Sequence, residues 1–187
     1  MKKLVSLIMC VALCSAMLTG CGGYSGGKVK DGVYTNDVFR FKVTPDDDMI
    51  VMEDPMESTD AAVAFSYCYM QGGKDSFKAE YALNNLQGGM AIVSEENVGG
   101  YSTDDFVENI EAQLKEKVFW TYKTEVNEDV TIDGTNFRKL LIDSDGNHQL
   151  FFIKTSESRI IFIYIAVTKN GVKNGLEEQY VNAISGL

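Results

Sequence analysis

Residues 159–168, RIIFIYIAVT, constrain the fold more than any other stretch of this chain. In an extended segment successive side chains point to opposite sides. Ile161, Ile163 and Ile165 therefore share one face, and Ile160, Phe162 and Tyr164 the other. β-Branched and aromatic side chains favour the extended state. A strand that is apolar on both faces has to be covered on both, which places it centrally in a sheet with a packed layer on either side. At about ten residues it is too short to cross a bilayer as a helix.

The neighbouring segments supply the rest of such a sheet. Alternation and turn residues predict strands at Tyr122–Asn127, Val130–Ile132, Phe137–Asp143 and Gln149–Lys154, with Asp133-Gly134 as a turn. Phe77–Leu83 and Met90–Glu96 read as a hairpin across Asn84–Gly89, and Val38–Val43 as a half-buried strand ended by Pro45. A helix is predicted from about Thr103 to Lys117. Ser102 caps it with Asp105 as capping-box partner, acidic residues start it, lysines end it, and Phe106, Ile110 and Leu114 form its apolar stripe. A second helix is predicted from about Asn174, with a stripe of Leu176, Tyr180, Ile184 and Leu187. Residues 61–70 suit either state: Val63, Phe65, Tyr67 and Tyr69 alternate as in a strand, while Ser58/Thr59 before them and Gly72-Gly73 after them suit a helix. The sum is an α+β domain, an antiparallel sheet of about six strands packed by helices.

The amino terminus is of a different kind. Lys2 and Lys3 precede an apolar run from Leu4 to Leu18, and Leu18-Thr19-Gly20-Cys21 looks like a bacterial lipobox. The charged, apolar and small-residue regions occur together as a lipoprotein signal requires. Residues 1–20 are read as signal peptide, cleavage as falling between Gly20 and Cys21, and Cys21 as the acylated residue carrying fatty acids such as palmitate. Residues 21–32 are then a glycine-rich tether and 33–187 a single domain. The expected location is the extracytoplasmic face of the cell membrane.

Charge and cysteine content narrow the partners. The chain has 17 Lys+Arg and 27 Asp+Glu, and the leader removes two of the cations. So acidic a domain is repelled by phosphate backbones and is not a nucleic-acid binder. Nor does charge draw it to an anionic bilayer, so membrane attachment rests on the Cys21 lipid. Beyond the leader and Cys21 only Cys68 remains, which excludes an intramolecular disulfide in the mature domain.

Candidate chemistry is sparse. Asp46, Asp47, Asp48, Glu53 and Asp54 offer oxygen ligands for a hard cation or a surface for a partner, but lack EF-hand spacing. Asp143-Ser144-Asp145-Gly146-Asn147 likewise departs from a calcium loop and reads as a hairpin turn. His148, the single histidine, has no companions for a zinc site and no GxSxG elbow to complete a triad, and is expected at the surface. Tyr101, Trp120 and Tyr122 are candidates for an aromatic binding surface. No metal and no cofactor is expected.

Tyr34-Thr35-Asn36, Phe39-Arg40-Phe41 and Pro45, followed by a mid-chain amphipathic helix, an antiparallel meander and a closing helix, resemble the PsbP-like domains of bacterial lipoproteins. The resemblance covers Val33 to Leu187. Asp46-Asp47-Asp48-Met49 stands where such domains often carry Gly-Trp after the proline. The resemblance implies an α/β/α sandwich without catalysis, used to bind or support an assembly, here an unidentified envelope protein or ligand. Two other expectations stand beside it: an enzyme or enzyme subunit acting on cell-wall glycan with carboxylates as acid and base, and a small-solute-binding lipoprotein.

Overall fold

The computed structural model describes residues 26–52, 77–117 and 123–187. Cys21 and the cleavage site expected before it, Glu53, Asp54, residues 61–70, Trp120 and Tyr122 lie outside them.

The described strands form two antiparallel sheets rather than the one expected. The larger has seven strands: β4 (Ile50–Val51), β5 (Phe77–Asn85), β6 (Gly88–Glu96), β7 (Lys123–Ile132), β8 (Thr135–Ser144), β9 (Asn147–Thr155) and β10 (Arg159–Val167). Their spatial order is β4-β5-β6-β10-β9-β8-β7. The strand apolar on both faces, β10, thus occupies the middle position. Everything from Ile160 to Ile165 on it is buried.

The smaller sheet has four strands, β1 (Lys28–Lys30), β2 (Val33–Asn36), β3 (Phe41–Val43) and β11 (Ile184–Gly186), in the order β1-β2-β3-β11. None exceeds four residues, too short for alternation to announce it. Two expectations fail here. Lys28–Lys30, assigned to the tether, pairs with β2 and so belongs to the fold. Residues 37–40 are a turn, with Arg40 at φ 60° and Phe39 buried, so the strand expected from Val38 begins only at Phe41.

The closing helix expected from about Asn174 is the shorter α3 (Leu176–Asn182); a separate helix, α2 (Lys169–Lys173), capped by Thr168, precedes it, with Gly175 at φ 77° between them. Ile184, expected on its stripe, instead pairs with Val43 in β11. Ile, Ser and Gly are modest helix formers, so pairing with β3 wins. Gly186 is required there: a Cβ would lie 2.2 Å from the Asp133 carbonyl oxygen.

Elsewhere the turns follow sequence. Asp31-Gly32, Asp133-Gly134 and Asp145-Gly146 each have two successive positive φ angles, the signature of type I′ turns. Tyr122–Asn127 and Val130–Ile132 merge into one strand, β7, with an irregularity between Thr124 and Val126. The helix α1 (Thr103–Lys117) is as expected: the Asp105 amide donates to Ser102 Oγ at 3.2 Å and the Ser102 amide to Asp105 Oδ2 at 3.0 Å.

Two apolar clusters flank the large sheet. On one face Ile161, Ile163, Ile165, Phe152 and Leu150 meet Tyr34, Phe41 and Val43 of the small sheet and Tyr180 of α3. On the other, Phe162, Ile160, Phe151 and Val93 meet Phe106, Val107 and Ile110 of α1. Phe106 and Phe162 sit with ring centroids 4.8 Å apart. Glu80, at an irregularity in β5, ties the small sheet to the large one. Its Oε2 accepts from the Gly27 amide (2.6 Å) and Tyr34 hydroxyl (2.5 Å), and its Oε1 from Ser94 Oγ.

Candidate functional site

The α1 face of the large sheet is built in cross-strand rows. One row reads Ala82, Ala91, Tyr164, Phe151 across β5, β6, β10 and β9; the next, toward the β5–β6 turn, reads Asn84, Gly89, Ala166, Gln149. Directly paired residues point to the same side of a sheet. Small residues in the middle of the second row and amides at its ends therefore create a depression, because nothing tall rises from the floor. A groove of about 480 Å³ lies here. That is within the range of small-molecule sites, roughly 300–1,000 Å³.

The groove was not legible in the sequence because Asn84–Gly89 reads as a turn. The turn is tighter, Leu86-Gln87 alone, and Asn84 and Gly89 are paired strand residues. Leu86 at its tip is fully exposed. Asn85 and Gln87 are partly committed elsewhere: Asn85 Oδ1 accepts from the Gln87 amide at 3.2 Å, and Gln87 Oε1 from Asn174 Nδ2 at 2.9 Å. The amides of Asn84 and Gln149 make no hydrogen bond to any described residue.

His148, expected at the surface, borders the groove, but its half-buried ring is held on the α3 side of the sheet. Its Nδ1 lies 2.5 Å from Glu177 Oε2 and its Nε2 3.3 Å from Asp143 Oδ2, joining the β8–β9 turn to α3. With both ring nitrogens facing carboxylates, neither is left to serve as a base toward a ligand. Asp143 also accepts from the Gly146 amide at 3.1 Å, so the segment 143–147 is a hairpin turn.

Ionisation elsewhere is structural. Burial pushes the phenols of Tyr81 and Tyr180 up to about 12. Both are donors to carbonyls, Tyr81 to Gly32 at 2.5 Å and Tyr180 to Gly88 at 3.1 Å. Burial, then the nearby Arg40, lowers the Lys154 amine below its ordinary value; that amine donates to the Phe39 carbonyl at 3.2 Å. Arg138 joins α1 to β7 through Asp104 (2.6 Å) and Asp129 (2.8 Å).

The described residues among those singled out in the sequence do not converge. Asp46, Asp47 and Asp48 are exposed on a loop and, among the described residues, no cluster of His, Cys, Asp or Glu is placed to hold a metal ion. The Tyr101 amide donates to Asn97 Oδ1 at 2.8 Å within the loop before α1, away from the groove. No described helix is long and apolar enough to cross a membrane.

No family model and no curated protein matches the sequence. Among solved structures, the chain is similar to the solution structure of cyanobacterial PsbP (CyanoP) from Synechocystis sp. PCC 6803, with a TM-score of 0.50 and 11% identity over 89% of this chain and 97% of that one. The fold is PsbP-like. At this identity the likeness extends to architecture alone.

Proposed function

We propose that this is an exported protein, anchored by a lipid on Cys21 to the extracytoplasmic face of the membrane, whose PsbP-like domain is a non-catalytic module that binds or supports another envelope component. The observation that carries the binding role is the groove: a recess on a sheet, whose described lining holds amides, the hydroxyls of Tyr164 and Thr168, His148 and apolar side chains but no Asp or Glu. Carboxylate acid–base chemistry on a glycan needs two carboxyls facing each other, about 5–9.5 Å apart; the described lining supplies none. The anchor rests on Leu18-Thr19-Gly20-Cys21 after its charged and apolar leader.

The test is capture from native membranes with the anchored protein, beside a Cys21→Ala form. The expected result is palmitate incorporation in the first form and none in the second, with a stoichiometric envelope component recovered by the first and reduced or absent in the second. Saturable turnover of an envelope glycan by the purified protein would overturn the non-catalytic role. Unlabelled wild-type protein would overturn the anchor.

A further inference from the structure

We propose that the groove on the α1 face binds a short uncharged oligosaccharide. The inference rests on the non-catalytic binding reading above and names the ligand class of that site.

Apart from one histidine held between two carboxylates, the polar side chains of the groove's described lining are amides and hydroxyls. In so acidic a chain, a site without lysine or arginine among its described lining residues has nothing to hold an anionic ligand. It has no carboxylate in that lining to hold a cationic one. A neutral, hydroxyl-rich ligand fits both absences.

The groups that are available match that ligand. A side-chain amide presents a donor and an acceptor in one plane, a pairing that adjacent sugar hydroxyls, each both donor and acceptor, can meet. Asn84 and Gln149 stand at the two ends of one row, three strand spacings or roughly 14 Å apart at Cα. They bracket a floor made by Gly89 and Ala166. A floor of small residues leaves room for a pyranose ring. Tyr164, 9% exposed in the next row, adds an aromatic ring at the inner end.

A peptide is the weaker occupant. Strands β6, β10 and β9 are interior, paired on both sides. Their backbone has no free edge for an added strand, the usual source of peptide affinity on a sheet. What remains unpaired is side-chain amide.

The test uses the full chain purified from membranes in detergent, with cellotriose and the N-acetylglucosamine trimer as probes and alanine tripeptide as the comparison, read by titration calorimetry. One or both trisaccharides are expected to bind at one per chain. Loss of a single hydrogen-bonding amide is worth about 1 kcal/mol, so Asn84→Ala and Gln149→Ala should each weaken binding roughly 5-fold. Ala166→Leu, which raises the floor, should abolish it. Thermal unfolding of each variant confirms that it is folded.

If neither trisaccharide binds folded wild-type protein, if the tripeptide binds instead, or if binding survives all three substitutions, the saccharide site is wrong. Its failure is distinct from failure of the non-catalytic reading. No sugar binding beside capture of a stoichiometric envelope protein removes the saccharide and keeps the module. Binding followed by cleavage of the trisaccharide keeps the site and removes the non-catalytic role.

Discussion

The two faces of the large sheet are made by the same strands and finished differently. On the face toward the small sheet, β10 presents Ile161, Ile163, Ile165 and Val167, all buried, and the cover runs along the whole strand. On the α1 face the same strand presents Ile160, Phe162, Tyr164 and Ala166, large at one end and small at the other. Its neighbours follow: Val93, Ala91, Gly89 on β6, and Ile153, Phe151, Gln149 on β9. The taper marks where α1 packs and where it does not. A face that serves only as core stays bulky throughout; one that also holds a recess shrinks its side chains and turns polar along the strand.

The comparison breaks first if the α1 face is not core where its side chains are large. Phe162→Ala removes a fully buried ring stacked near Phe106 and leaves a cavity. It should cost about 3–5 kcal/mol, close to the cost of Ile163→Ala on the opposite face at about 2–5 kcal/mol. Urea unfolding midpoints measure both. A loss under about 1 kcal/mol for Phe162→Ala would mean that α1 does not cover that end.

The opposite face depends on a polar clasp as well as on packing. Glu80→Ala leaves the hydroxyls of Tyr34 and Ser94, both on buried residues, without their carboxylate acceptor. Hydrogen bonds to a charged group are worth about 1.5–3 kcal/mol, and an orphaned buried donor costs a similar amount. A loss of about 2–3 kcal/mol is expected, with faster hydrogen exchange at Tyr34–Asn36 and Phe41–Val43 than at β10. Uniform acceleration across both sheets would show that Glu80 does not act specifically on the small sheet.

The two faces also differed in how much the sequence disclosed. The central position of β10, the α1 cap and stripe, and the Asp-Gly turns were legible, because each depends on local periodicity or on residues suited to positive φ. The small sheet was not. Its strands of three or four residues are too short to show alternation, the last of them pairs far away in sequence, Ile184 with Val43, and a spacing of four between Tyr180 and Ile184 mimics a helix. The groove was hidden for a related reason. Gly88-Gly89 after Asn84-Asn85 carries turn-like composition, and only the register reveals that Asn84, Gly89, Ala166 and Gln149 form one row. His148 alone in sequence gives no sign that Asp143 and Glu177 flank it.

A smaller effect sharpens the covered part of the α1 face. Ser102→Ala removes the cap of α1 and should cost about 1 kcal/mol. The Ser102 hydroxyl and amide hold the Asp105 carboxyl below its ordinary value. A carboxyl whose folded pKa is depressed contributes stability above its unfolded pKa and loses it as pH falls through the folded one. The wild-type protein should therefore lose this contribution below about pH 4, and the variant, which keeps the amide bond but lacks the hydroxyl's larger share, should show a shallower decline over that window. Parallel pH profiles would show that the box does not stabilise the helix start.

The smallest expected effect is the most discriminating. A leucine placed at a position packed in a full core forces neighbours apart and costs about 1–3 kcal/mol. Ala166 stands on the floor of the groove, between Gly89 and Gln149, and the space above it is open. Ala166→Leu should extend into that space without displacing its neighbours, so stability should stay within about 0.5 kcal/mol of wild type. The same enlargement on the opposite face, Ala183→Leu beneath the small sheet where the residue is buried, should carry the full overpacking penalty. Equal penalties at both positions would mean that the α1 face is filled along its whole length and that the taper from Ile160 to Ala166 reflects close packing by another element. A free substitution at Ala166 beside a costly one at Ala183 is what a sheet with one closed face and one partly open face requires.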